Sequence, residues 1–433
     1  MTKNIWLAAL LFLGVAQISF AQQREDYVPA SGTEDYTYRP NIKTVRLYPS
    51  DSETDYPVLN LGSPIELVFM FDDLDAYSKN YYYKIIHCDA NWQPSTNVSP
   101  IDYIIGFQEN RIYDGRNCFN THGIEYTHYE LRFPNSDVKF KISGNYLLKI
   151  YLDADDEDVA ITRRFMVVDT KLRAFAEMRR SATPPNAATH QEFRLSVQYA
   201  QGISIANPEQ DINIVILQNG RWDNALTGLK PTFVKRDEIV YDIQGKIVFP
   251  GMREFRPLDI RTFRARSNQV RQLDIEESNF KIQLFDDFPR TNAAYSFIPD
   301  LNGKFIIQSF DFPDATLQGE YGKVNFFLNM NKIPNADVFI LGGFTDWQLY
   351  ARNRMTYNAD IDSYEAELTM KNGFYDYHYV VVPHKKGALP DIMPIEGSSY
   401  ETENDYLFLV YYRPYGGRYD QLVAVQKANS RPR

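Results

Sequence analysis

The chain has 433 residues, 46 basic against 56 acidic side chains, and a formal net charge of −10. That length exceeds one ordinary sandwich and fits two to four domains of about 100–200 residues each, while the acidic balance argues against nucleic acid or an anionic bilayer face as a partner. With 31 Tyr and 28 Phe, residues that suit pleated and half-buried surfaces, the composition points to an all-β protein.

Residues 1–21 have the grammar of a secretory signal peptide: Lys3, an apolar stretch from Ile5 to Phe20, and small residues at Ser19 and Ala21 for the peptidase. The exported chain is expected to begin at Gln22 without a lipid-bearing Cys. After Ala21 no uncharged apolar stretch approaches the roughly 18 residues that span a bilayer as a helix. Residues 22–37 read as a flexible N-terminal segment.

Strict alternation of apolar and polar residues then marks strands in chain order, at Thr127–Phe133, Phe193–Tyr199, Val324–Phe326 and Tyr364–Leu368. Turn signals lie between them at Ser143-Gly144-Asn145, Asn219-Gly220, Asn302-Gly303 and Asn372-Gly373. Helical periodicity is absent over any long window, so the expected architecture is a tandem of immunoglobulin-like or early-set β-sandwich domains. Three blocks are expected: 38–170, closing on a strand pair around the acidic tip Asp153–Asp158; 171–287, beginning near the breaker Pro184-Pro185; and 288–433 after Pro289.

The sequence nominates no catalytic residue, metal ligand set or cofactor motif. His87-Cys88-Asp89 adjoins a thiol, an imidazole and a carboxylate, but sequence neighbours on a strand point to opposite faces, so His87 is badly placed to activate Cys88. In an exported chain Cys88 and Cys118 are instead a candidate disulfide. The acidic run at 153–158 lacks the glycine and the distal glutamate of a calcium loop and reads as a solvated hairpin tip. His122 and His128 lack the further ligands a zinc site needs.

Arg253, Arg256, Arg261, Arg264, Arg266 and Arg271 crowd one stretch with Phe255 and Phe263 interleaved. They form a candidate interaction surface for carboxylates of a neighbouring domain or partner, since Arg makes bidentate carboxylate contacts. The stretch Gly342-Gly343-Phe344-Thr345-Asp346-Trp347 resembles the turn of early-set modules that bind starch or glycogen. Its favoured reading is structural, with Trp347 packed over the end of a sandwich; the other is an exported glycan-binding protein using Trp347 as a sugar platform.

Several motifs resemble a family: His87-Cys88-Asp89-Ala90-Asn91-Trp92 with Pro94-Ser95, Tyr103–Phe107, Asn120-Thr121, Tyr126-Thr127-His128-Tyr129, Phe133-Pro134-Asn135, Ser143-Gly144-Asn145-Tyr146, Glu254-Phe255-Arg256 and the Trp347 turn. Their order is similar to that of the plug proteins of the Bacteroidetes type IX secretion system. The resemblance implies a non-enzymatic periplasmic β-sandwich protein, associated with the inner face of the outer membrane through its partner, a large outer-membrane β-barrel translocon that it seals between transport events. It departs from the pattern at Cys118, where the family more often has Ser, and it carries over no contact residues.

Overall fold

The computed structural model describes residues 32–431 except 119–121, 185, 201–204, 277–278 and 386. The expected signal peptide lies outside the described residues. These residues fold almost wholly as β-strands in mostly antiparallel sheets forming several units, with helices of no more than a turn such as Pro100–Tyr103.

The first unit packs two sheets face to face. One runs in the order Tyr36–Thr37, Val159–Val168, Gly144–Leu152, Tyr81–Cys88, Glu109–Arg111, with Val58–Asn60 added parallel to Val159–Val168. The other runs Ile42–Pro49, Leu67–Asp73, Tyr126–Phe133, Asp114–Cys118. Alternation in Tyr81–Cys88 sends Tyr81, Tyr83 and Ile85 into the shared core, against Phe69, Phe71, Tyr129, Phe133 and Phe165. Tyr36 pairs with Thr162 and Thr33 is buried, so the end of the expected flexible segment is held in the sheet.

The second unit sets Leu172–Arg180, His190–Tyr199, Glu238–Tyr241 and Phe233–Val234 against a sheet of Ile212–Gln218, Asp405–Tyr412 and Gln421–Asn429. The third sets Arg256–Asp259, Gly373–Pro383, Phe305–Ile307 and Ala336–Leu341 against Val270–Glu276, Asn279–Leu284, Tyr321–Asn329, Ser363–Lys371 and Thr356–Asn358. This grouping differs from the expected blocks 171–287 and 288–433. Strands at 256–284 belong with the third core, and the strands at 405–429 return to the second, so the third unit is inserted within the second.

The reason is visible in two strands buried on both faces. Ile214, Ile216, Tyr406, Phe408 and Val410 fill the second unit's core, while the alternate residues Val215, Leu217, Leu407, Leu409 and Tyr411 pack on Cys88, Trp92, Leu147, Met166 and Val168 of the first. The first and second units are thereby joined by a continuous apolar layer. Where the chain passes between the second and third units the joint is hydrogen-bonded instead: Gln191 Nε2 donates to the carbonyls of Tyr400 and Thr402, and Asn404 Nδ2 to that of Gly251. Gly251 is required there, because a Cβ would stand 1.9 Å from the Ser399 carbonyl oxygen.

Candidate functional site: interdomain clamps, a three-way cleft and an apolar ridge

The first and third units meet through charge. Asp72 lies on Leu67–Asp73, and the third unit covers its carboxylate. Lys371 Nζ approaches one oxygen at 2.7 Å and the Tyr321 hydroxyl donates to it at 2.6 Å, while His128 Nδ1 lies 2.7 Å from the other. Lys371 also donates to the Thr316 carbonyl and lies 4.0 Å over the Tyr126 ring. Burial opposes ionisation of Asp72, yet Lys371 and His128 outweigh it and hold the carboxyl below its usual range.

A second clamp lies at the Trp347 turn. Arg163 of the first unit donates to Asp346 of the third at 2.5 Å, with both side chains nearly inaccessible. The other Asp346 oxygen accepts from Thr37 Oγ1 at 2.8 Å and Tyr350 Oη at 2.6 Å. Asp346 and Trp347 both adopt left-handed backbone, at φ 56° and 57°, a conformation costly for non-glycine residues. The turn brings the half-buried indole against Phe255, Gly303 and the Arg221 guanidinium.

Beside this clamp a cleft of about 290 Å³ separates the three units, walled by Asp35 and Arg164 of the first, Trp222 and Asp223 of the second, and Trp347 and Gln348 of the third. An adjoining, more open hollow of about 170 Å³ shares Asp35, Arg164, Gly220, Asp346 and Trp347 with it and reaches Tyr56 and Lys304.

The other sequence-nominated residues fall differently. Cys88 and Cys118 are free thiols, not a disulfide: Cys88 faces the second unit and Cys118 the third, from different sheets of the first. The arginines do not form one face. Arg256 is buried on Glu396 and Asp287, while Arg261 pairs with Asp259, Arg264 with Glu320 and Asp311, and Arg271 with Asp286. Arg253 and Arg266 donate to the carbonyls of Ala293 and Arg271. Arginine spacing shows none of these partners, because most are distant in sequence. Gly342 and Gly343 lie at the start of the turn, where Gly343 N donates to the Gly303 carbonyl and the Phe344 ring meets Tyr375. Among the described residues no group of three or more His, Cys, Asp or Glu could hold a metal ion.

One surface feature was not singled out from the sequence. Ile101, Ile105, Phe107 and Tyr113 are 76, 57, 62 and 75% exposed, within one short stretch of the first unit. Beside them runs an apolar groove of about 480 Å³ lined by Leu59, Leu61, Ile105, Pro134 and Phe140. Gly106 fixes the crest: its φ is 100°, and a Cβ there would meet the Asp137 carbonyl oxygen at 2.1 Å. Tertiary pairing of Ile104–Gly106 with Val138–Phe140 turns Ile105 outward while Ile104 stays buried, which the local pattern alone does not show.

No curated protein matches the chain. A crystal structure of a hypothetical protein from Parabacteroides merdae ATCC 43184 is similar over 92% of this chain and 99% of its own, with 29% identity and a TM-score of 0.87. A family model, the Type 9 secretion system plug protein 1st domain, matches residues 42–169, nearly the whole of the first unit. The segment carrying the Asp72 clamp and the apolar ridge is thus similar to the first domain of the type 9 secretion system plug protein.

Proposed function

We propose that the protein is a non-enzymatic periplasmic plug, which docks on the outer-membrane β-barrel translocon of the type IX secretion system and seals it when no substrate is passing. One observation carries the reading: a unit that matches the plug family's first-domain model is locked to two further β units by an apolar layer on one side and buried ion pairs on the other. A seal needs a wide body that does not deform under solute flux, and joints of this kind resist separation. Its contact must hold without being permanent, which suits a limited apolar anchor on a polar surface; the ridge at Ile101–Tyr113 has that character. On this reading each unit is an immunoglobulin-like or early-set β-sandwich used as a rigid spacer rather than a reaction vessel.

Affinity purification of the tagged, exported protein from gently solubilised outer membranes tests the proposal. Recovery of a large outer-membrane barrel is expected; recovery of no barrel, with the protein folded and periplasmic, contradicts it.

A further inference from the structure

The cleft between the three units has features that the plug reading does not use, and we propose that it binds a neutral saccharide of one or two rings. The proposal goes beyond docking and does not depend on it.

The argument starts from the walls. Trp222 and Trp347, contributed by different units, both line the cleft, and indoles provide the flat apolar surface on which the C–H face of a sugar ring rests. Around them stand Asp35, Arg164 and Gln348, planar groups that can hydrogen-bond hydroxyls of a sugar ring, while Asp223 is held by Arg221 in a bidentate pair. Charge decides against an ionic ligand. The adjoining hollow is lined by four basic and four acidic side chains, several already paired with one another, as Arg163 is with Asp346 and Arg46 with Glu53. A ligand of either sign would meet its own charge there, whereas a polyol would not.

A second, independent feature lies beside the cleft. Tyr56 lines the adjoining hollow, is only 8% exposed, and its hydroxyl has no hydrogen-bond partner among the described residues. Burying a hydroxyl without a partner is costly, so the group is held there at the expense of stability. Gly220 makes room for it, since a Cβ at that position would stand 2.6 Å from the Tyr56 ring. The volume of the cleft, about 290 Å³, lies at the lower limit of small-molecule sites, roughly 300–1,000 Å³, which restricts the ligand to a mono- or disaccharide unit.

Intrinsic tryptophan fluorescence of the full mature chain, titrated with maltose and with N,N′-diacetylchitobiose, tests the assignment. A saturable change is expected with at least one of the two. Tyr56→Phe should weaken it about three- to tenfold, the worth of one neutral hydrogen bond, with the melting temperature unchanged or raised because an unpaired hydroxyl is removed. Trp347→Phe should weaken binding as well, through a smaller platform. No saturable response to either disaccharide overturns the proposal; so does binding that Tyr56→Phe leaves unchanged. Should Trp347→Phe fail to fold, the Tyr56 variant alone decides.

Discussion

Lys371 of the third unit places its ammonium 2.7 Å from the carboxylate of Asp72 in the first, with both side chains inaccessible to solvent and 299 residues of chain between them. Removing either partner leaves the other charge buried without its ion-pair partner, a change that costs about 3–5 kcal/mol. Lys371→Met and Asp72→Asn should therefore each destabilise the protein by about that amount. The double variant should lose less than the two together, as side chains in one network do. Equilibrium urea denaturation of the four proteins measures the coupling, and strict additivity would show that the pair does not join the units.

The pH dependence of stability should carry two opposite contributions from the third unit. Burial pushes Asp376 up to about 8, with the Asp300 charge adding to it, and burial pushes Asp300 up to about 7. Their folded pKa values exceed the unfolded one, so their contribution is fully present below about pH 4 and is lost as pH rises through 7 and 8. Glu396 is the reverse. Burial works against its ionised form, but Arg256 and Arg290 hold it down to about 2, so its contribution stands above about pH 4.5 and is lost as pH falls towards 2. Asp376→Asn should raise stability at pH 8 relative to the parent and flatten the profile between pH 5 and 8; thermal melts across that range measure it.

Both cysteines should behave as buried thiols. Burial pushes Cys88 up to about 12 and also raises Cys118, which suppresses the reactive thiolate. Native protein should react slowly with a thiol reagent, and non-reduced denatured protein should yield two thiols per chain. Release of thiols only after reduction would restore the disulfide expected from the sequence.

The strands and several turns were legible in the sequence because alternation and glycine placement are local. Thr127–Phe133 lies within the strand Tyr126–Phe133 and Phe193–Tyr199 within His190–Tyr199, and Asn219-Gly220 and Asn302-Gly303 both adopt left-handed backbone. What was not legible depends on long-range pairing. The run Tyr406–Tyr411 announces a strand buried on both faces, but nothing in it says that the sheet it joins was begun by Ile212–Gln218 nearly two hundred residues earlier. Arg256 looked like a surface residue because its partner Glu396 lies 140 positions away. The Cys88 and Cys118 spacing fits a loop, yet the fold sends the two thiols to different interfaces. Asp72 gave no signal at all, since a single Asp in an apolar strand reads as an exposed residue until its cation is placed beside it.

The apolar ridge provides a direct test of where docking occurs. Phe107→Ser together with Tyr113→Ser alters two exposed side chains and should change stability by no more than about 0.5 kcal/mol each, the usual range for surface positions. Retention of the barrel in affinity purification should fall sharply. Unchanged retention would move the contact to another face while leaving the plug reading intact.

Sealing itself is the central claim, and outer-membrane permeability measures it most directly. In a strain lacking this protein but keeping an intact translocon, a large glycopeptide antibiotic that the outer membrane normally excludes should enter and inhibit growth. Re-expression of the protein should reverse the sensitivity, and deletion of the barrel should abolish it. Unchanged sensitivity in the deletion strain, with the translocon present and open to transport, would contradict the account.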